Sequence, residues 1–467
     1  MPVLAGLLIA QLLSTFFVWQ SDLNLFQSMS AIKAAGYIPI PNEQVMPSLR
    51  SILPACYAGL FFTLSIGAAL SLLSYAAVSI LNRLGRDKRA SMFLVLFWIG
   101  GIVFSNLNGF SAIATSFWLI IPAVVSFLTF RQSSPPSDHK TNIRQIWIHS
   151  AMMLMIAAIG ISQMNINVFL NFRDKLLLSN RVGLRLNNFY YDYTLYAAEA
   201  FKSPSQKLLR TCKLSVDDKI LKERVEKQLL YYDYFSIDTA AADLEMNQAE
   251  AEKFLKQPSQ YLKNFSKAHD PHGFFRACVW LSIVVLPFLM LYSCIYGLFC
   301  MLRLCFRQAP RITGVVLLFC GISILFGLFY PSGKPEKPVQ RLSEAIISDN
   351  QHQRFAALRW IAVSGFMDIA EFDVSKILNS PDISERHWLI RALGRSSSPK
   401  AYNIMIKLID DPQFNIAYTA YAMIGKRGDS RAIPEILKRL PVSDNWYVQN
   451  YAYKALRKLG WHQGRSK

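Results

Sequence analysis

Residues 429–460, DSRAIPEILKRLPVSDNWYVQNYAYKALRKLG, decide how the C-terminal quarter of the chain folds. Ala432, Ile436, Leu437 and Leu440 fall on one face of a helix, behind a turn that carries Asp429 and Ser430. Ala452 and Leu456, four residues apart, mark a second helix over 448–460. The two helices make a hairpin whose apolar side needs a neighbour.

The neighbours lie upstream. The register of Ala452 and Leu456 returns at Ala420 and Ile424, at Leu389 and Leu393, and at Ala357 and Ile361. The period is about 31–32 residues through the segments 353–365, 385–397, 416–428 and 448–460. First helices match in the last two units, where Ala401, Met405, Ile406 and Ile409 correspond to Ala432, Ile436, Leu437 and Leu440. Four stacked hairpins predict a short α-solenoid over 339–467.

These repeats resemble the HEAT-repeat family, in particular the short HEAT-like units also found in phycobilisome lyases. Arg354 and Arg386 stand where the family's second helices often carry Arg, whereas Ala417 and Gln449 depart from that pattern. The resemblance implies a protein-binding or scaffolding surface; a repeat is not a catalytic motif and implies no lyase activity. Trp446 and Tyr447 form either an aromatic binding patch or a cap on the last repeat, and Arg386, Arg391 and Arg395 either a basic strip or a solvated helix face.

Ahead of the repeats, PSGKPEKP at 331–338 reads as a linker. Two charge-free runs precede it, 277–302 and 312–330, on either side of the basic turn RLCFRQAPR at 303–311. Each run suits the ~20 apolar residues that cross a bilayer. Arg303, Arg307 and Arg311 place the turn in the cytoplasm by the positive-inside rule, which leaves 165–275 and 331–467 on the far side.

Residues 1–21 carry no side-chain charge and read as a retained first span. The loop 21–50, with Pro39, Pro41 and Pro47, is expected outside and not helical throughout. A second span over 51–82 ends at Arg83, Arg86, Lys88 and Arg89; the uncharged stretch 90–130 is cut by SNLNG at 105–109 into two spans; 146–164 makes a fifth. The expected fold class is therefore predominantly all-α: a polytopic α-helical membrane protein of about seven spans, five in 1–164 and a hairpin in 276–330. It also holds a small α+β extracytoplasmic loop module over 165–275 and the HEAT-like α-solenoid. The inner loops hold ten Lys or Arg against two in the short outer loops, so the orientation has an inside N-terminus. The setting this fits is the bacterial inner (cell) membrane, with the outer side periplasmic in a Gram-negative host.

Within the loop module, NNFYYDYTLY at 187–196 is dense in Tyr; Tyr190, Tyr191 and Tyr193 either grip a partner or pack internally. Residues 217–230 and 246–255 read as helices and 231–237 as a short strand. His269-Asp270-Pro271-His272 has ligand-type side chains but no third His nearby, and no metal is assigned to it. Cys212 is alone in the polar segments, which excludes a disulfide scaffold there.

The net charge of +19 is partly topological. Lys and Arg stand against Asp and Glu as 13 to 4 in the apolar regions, 16 to 14 in the loop module and 21 to 13 in the tail. That distribution argues against nucleic acid as a partner; the tail's excess suits anionic lipid, acidic glycan, an acidic protein face or plain solvent. No phosphate-binding glycine loop, HExxH helix or GxSxG elbow occurs, so no catalytic residue and no cofactor is assigned. The reading is an integral membrane scaffold, a subunit of an envelope complex that binds protein partners through its HEAT-like domain. Its alternatives are a transport or export component and a membrane enzyme acting on lipid or glycan.

Overall fold

The computed structural model describes residues 1–83, 88–132, 173–178, 180–238, 242–286, 342–365 and 367–464, with residues 151, 155, 158 and 319 as isolated positions. The fifth expected span at 146–164, the basic turn 303–311, the run 312–330 and the linker 331–338 fall outside these residues, apart from the isolated positions. What is described is predominantly helical.

The N-terminal third is a bundle of apolar helices packed in an unusual sense. In α1 (Pro2–Ala34) the buried side is small or short, Gly6, Ala10, Ser14 and Val18, while Leu4, Leu8, Leu12 and Phe16 are 53–71% exposed. Small residues let backbones approach. A Cβ on Gly67 would lie 2.5 Å from Cβ of Ala10, so that crossing has no room for a larger side chain. Hydroxyls inside the bundle are tied back to their own helix, Ser14 Oγ donating to the Ala10 carbonyl at 2.6 Å and Ser74 Oγ to Leu70 at 2.6 Å.

The second helix runs Ile52–Asn82 with a single π turn at Thr63–Gly67 between α2 (Ile52–Phe62) and α3 (Ala68–Arg83). Gln11 of α1 reaches it, donating to the Cys56 carbonyl at 2.8 Å and accepting from Thr63 Oγ1 at 2.8 Å. Two further helices, α4 (Lys88–Ser105) and α5 (Ala112–Gln132), meet at the expected turn. Asn106 builds that turn, accepting from the Ser111 N–H at 2.7 Å and donating to Thr115 Oγ1 at 2.8 Å.

Two expectations need correction. Among the described residues three helices, not seven, are long and apolar enough to cross a membrane: Pro2–Ala34, Ile52–Asn82 and Ala112–Gln132. Ser91–Ser105 and Gly273–Leu286 are apolar but shorter. The loop expected from residue 21 starts only after Ala34, because Leu25, Met29 and Ile32 continue the buried period of α1 and the prolines act later. At 33 residues α1 is about 50 Å long, well beyond the ~30 Å of a hydrocarbon core. Asp22 therefore lies inside a helix, fully buried, with neither carboxylate oxygen hydrogen-bonded.

The loop module holds α6 (Arg181–Glu199) and a three-stranded parallel sheet of order β2-β1-β3, with β1 Arg210–Ser215, β2 Tyr234–Ser236 and β3 Leu244–Asn247. Cys212 of β1 stands beside Ser236 on one side and Leu244 on the other. The crossover from β1 to β2 is α7 (Lys219–Tyr231), whose N-cap Asp218 accepts from the Ile220 and Leu221 N–H groups. Two of the three strands went unforeseen, and residues 246–247, expected to open a helix, close β3 instead. There Asn247 caps α8 (Gln248–Lys256) in a reciprocal capping box with Glu250. With α9 (Pro258–Ala268) they enclose a core of Cys212, Val225, Leu229, Ala251 and Phe254; burial pushes the Cys212 thiol up to about 12. The short helix Gly273–Leu286 follows as α10.

In the C-terminal region the hairpins are formed as the register requires. The first unit has α11 (Leu342–Ile347) and α12 (Gln351–Ser364), the second α13 (Ser375–Leu378) and α14 (Ile383–Leu393). The third has α15 (Pro399–Leu408) and α16 (Phe414–Arg427), the fourth α17 (Ala432–Arg439) and α18 (Trp446–Lys458). The eight register residues, Ala357, Ile361, Leu389, Leu393, Ala420, Ile424, Ala452 and Leu456, are all 0–1% exposed. Successive units are also tied by polar contacts: Arg354 to Glu385 at 2.6 Å, Arg386 to Asp411 at 3.5 Å, and Arg427 to the carbonyls of Ser396 and Ser398.

Candidate protein-interaction face

A repeat of this kind presents two surfaces, one lined by second helices and one by first helices. The second-helix surface is occupied by the chain itself. Residues 173–174 lie on α14, α6 lies across α16 and α18, and the loop between α1 and α2 sits on α18.

At the upstream end Arg173 donates to His387 Nε2 at 2.7 Å, and Trp388 Nε1 donates to Asp174 Oδ2 at 2.9 Å. His387 is buried, and its pKa is held well below the usual range by that burial and then by Arg173 and Arg391. It is therefore the neutral imidazole; with Nε2 accepting, the ring proton is on Nδ1, 3.3 Å from Thr419 Oγ1.

One repeat further on, Asn187 donates to Asn415 Oδ1 at 2.6 Å and Asn415 returns a bond to Asn187 Oδ1 at 3.3 Å. Beside this pair the hydroxyls of Tyr191 and Tyr418 meet at 3.1 Å, and Tyr191 packs edge-on against Tyr447 with centroids 4.7 Å apart. Burial drives the Tyr191 and Tyr447 phenols well above their normal range, with neighbouring phenols adding to the shift. These rings are packing groups that stay protonated.

At the last repeat Tyr196 stands edge-on to Trp446 at 4.9 Å. Asn42 is enclosed there: its Nδ2 donates to the carbonyls of Leu440, Pro441 and Ser443, all at 2.9 Å, and its Oδ1 accepts from Gln449 Nε2 at 2.8 Å. Gln449 Oε1 in turn accepts from the Asn42 N–H at 2.8 Å. Gln463 makes the same two-way contact with the Ile38 backbone, at 2.8 and 3.1 Å. From the loop module, Asp233 accepts from Tyr453 at 2.6 Å and from Arg457 at 3.0 Å.

The candidate residues thus have definite places. Tyr191, Tyr447 and Trp446 lie together between α6 and the last two units, whereas Tyr193 packs on Tyr57 at 4.9 Å and Tyr190 remains exposed at the edge. Arg386, Arg391 and Arg395 do not form one strip. Arg386 turns to the Ser380 carbonyl and Asp411; Arg391 lies over the Trp388 ring, its charge 4.9 Å from the centroid, and Arg395 is exposed near Gly365. In HDPH, His269 bonds the Phe265 carbonyl, Asp270 pairs with Arg276, and His272 meets Ser111 at 2.9 Å; no metal-type cluster occurs among the described residues.

Residues 373–457 match the HEAT repeats family. The match takes in the second and third units whole and the fourth up to Arg457, one residue short of the end of α18. No curated protein and no solved structure matches the chain. The departure at Gln449 has a structural reason: the residue exchanges hydrogen bonds with the buried Asn42, and an Arg there would be buried against the chain's own loop. Asn42 and Asn187 had no local signal; the departure at Gln449 was the available clue to Asn42.

Proposed function

We propose that the protein is an integral membrane scaffold holding an extracytoplasmic HEAT-like solenoid against its own loops, as a subunit of an envelope complex. The observation that carries this is the origin of the segments on the second-helix face. Residues 37–49 and 173–233 are the stretches that the arginine distribution assigns to the outer side, and the turn at 106–111 joins them through Ser111 and His272. The exposed Leu and Phe of α1 support a lipid environment for the bundle, since a water-facing bundle would hide such side chains.

Because the inner face is filled, partner proteins dock on the first-helix side, where Asn403, Lys407 and Lys438 are exposed. Photocrosslinkers at Asn403 and Lys438 of the full chain in intact cells should each capture a defined envelope protein, while one at Tyr418 gives only intramolecular adducts. A reporter fused behind Lys467 should be active outside the cytoplasm. Cytoplasmic activity of that reporter, or external adducts at Tyr418 alone, would overturn the proposal.

A further inference from the structure

Helix α6 has two faces that suit different media. Asn187 and Tyr191 are buried against the repeats, whereas Val182, Leu186 and Tyr190, each one turn from the next, are 69, 59 and 45% exposed among the described residues. Arg181 and Arg185 run beside that apolar row and are exposed as well. Large apolar side chains flanked by arginines make the pattern of a helix lying at a membrane surface, where the apolar row sinks and the guanidiniums stay with the phosphates.

The row is also continuous with the apolar bundle. Phe61 of α2 meets Tyr190 edge-on with centroids 6.0 Å apart, and Tyr57, one turn earlier, packs on Tyr193 at 4.9 Å. Phe189 lies between them, 6.2 Å from Tyr57 and 5.7 Å from Phe61. Advancing along α2 therefore means moving back along α6, toward Leu186 and Val182. The next turn of α2 carries Leu64, itself 64% exposed. Tyr57 and Phe61 belong to the opening turns of the apolar helix Ile52–Asn82, whose 31 residues measure about 46 Å against the ~30 Å of a hydrocarbon core. That surplus leaves room for its opening turns in the headgroup layer. Tyr57, Tyr190 and Tyr193 then gather where amphipathic rings collect, at the boundary between lipid and water. The sequence agrees, since residues 145–172 carry no Asp, Glu, Lys or Arg and α6 begins shortly after them.

We infer that α6 is an interfacial helix whose Val182, Leu186 and Tyr190 rest in the headgroup layer of the bilayer, with Arg181 and Arg185 on lipid phosphates. Its other face carries the repeats, so the HEAT region is held at the membrane surface and not away from it on a tether. This rests on the membrane reading of the bundle but not on which side of the membrane the repeats occupy.

A small fluorescent amino acid is placed, one position at a time, at Leu186, at Leu8 of α1 and at Ile220, an exposed apolar residue at the start of α7. Each full chain is reconstituted in nanodiscs whose phospholipid carries a nitroxide quencher either near the top of the acyl chain or near its end. Leu186 should lose about half its emission or more to the shallow nitroxide and less to the deep one, whereas Ile220 should lose less than about a tenth to either. Arg181→Gln combined with Arg185→Gln should reduce the quenching at Leu186 and leave that at Leu8 unchanged. Quenching at Leu8 with none at Leu186 would overturn the inference and leave the membrane reading standing, because protein then covers the row, either this chain's own spans or a partner. No quenching at Leu8 or Leu186 would remove the membrane reading and this inference with it. Stronger quenching of Leu186 by the deep nitroxide, equal quenching at Ile220, or no effect of the two arginine substitutions would also overturn the interfacial placement.

Discussion

The bundle around α1 and the HEAT region are both helices packed on helices, yet they differ in where the large apolar side chains go. The HEAT second helices bury Leu, Ile and Trp beside Ala, whereas the first half of α1 buries Gly6, Ala10, Ser14 and Val18 and exposes Leu4, Leu8, Leu12 and Phe16. In water the removal of large apolar side chains drives association. In a hydrocarbon medium that drive vanishes, and close backbone approach with internally satisfied hydroxyls takes its place. The same chain therefore carries two packing rules, and the second is the one that the proposed membrane setting calls for.

The largest test of this contrast is truncation. Leu393→Ala should cost the HEAT region about 2–5 kcal/mol by urea denaturation, since the residue is fully buried between units. Leu8→Ala, on the outward side of α1, should leave stability in detergent unchanged. Gly67→Leu should disrupt the bundle, because even its Cβ collides with Ala10. If Leu8→Ala proved as damaging as Leu393→Ala, the two regions would obey one rule.

Next comes the covered face. Asn187→Ala leaves the buried Asn415 amide without its partner and should cost about 1–3 kcal/mol. A double-mutant cycle with Asn415→Ala should recover part of that loss. Additive losses would mean that the two amides do not act as a pair.

A third test uses pH. The folded pKa of His387 lies below its unfolded value, so the folded state binds fewer protons between the two. Its contribution is complete above the unfolded pKa of about 6.5 and is lost as pH falls below that value. One proton limits the slope to about 1.4 kcal/mol per pH unit. Melting curves from pH 7 to pH 5 should show this loss, and His387→Gln should flatten it. Asp233, whose carboxyl burial raises, acts in the other sense, with stability lost as pH rises through its folded pKa, so the comparison must be made against the His387 variant.

The smallest effect belongs to the solvent-exposed pair Lys33–Glu43 at 2.8 Å. Lys33→Ala should change stability by less than about 0.5 kcal/mol, which a melting scan at two salt concentrations checks.

What could be read in advance followed from period. The register of Ile361, Leu393, Ile424 and Leu456 repeats along the chain, so each copy strengthens the others, and every one of them is buried. The helix over 219–231 and the turn at Asn106 were legible from local chemistry, an acidic cap and a polar cluster. Of the parallel strands only β2 was legible, within the expected 231–237; β1 does not alternate, its burial running over Thr211 and Cys212 together, and β3 is four residues long, too short to show alternation. The covering of the second helices was also hidden, because Asn42 and Gln449 are paired across 407 residues and neither residue type announces a partner. The extent of α1 was misjudged through Asp22, a carboxylate taken as the end of a helix that instead continues for three more turns.

The clasp between Asn42 and Gln449 sets an order on biogenesis. A ribosome delivers the first of these residues long before the second, so the polar lining of that early loop must wait, hydrated or escorted, until the last repeat emerges. Nascent chains arrested between the two residues should therefore hold this loop unclasped, and it should close only once α18 has emerged and Gln449 can take the Asn42 N–H.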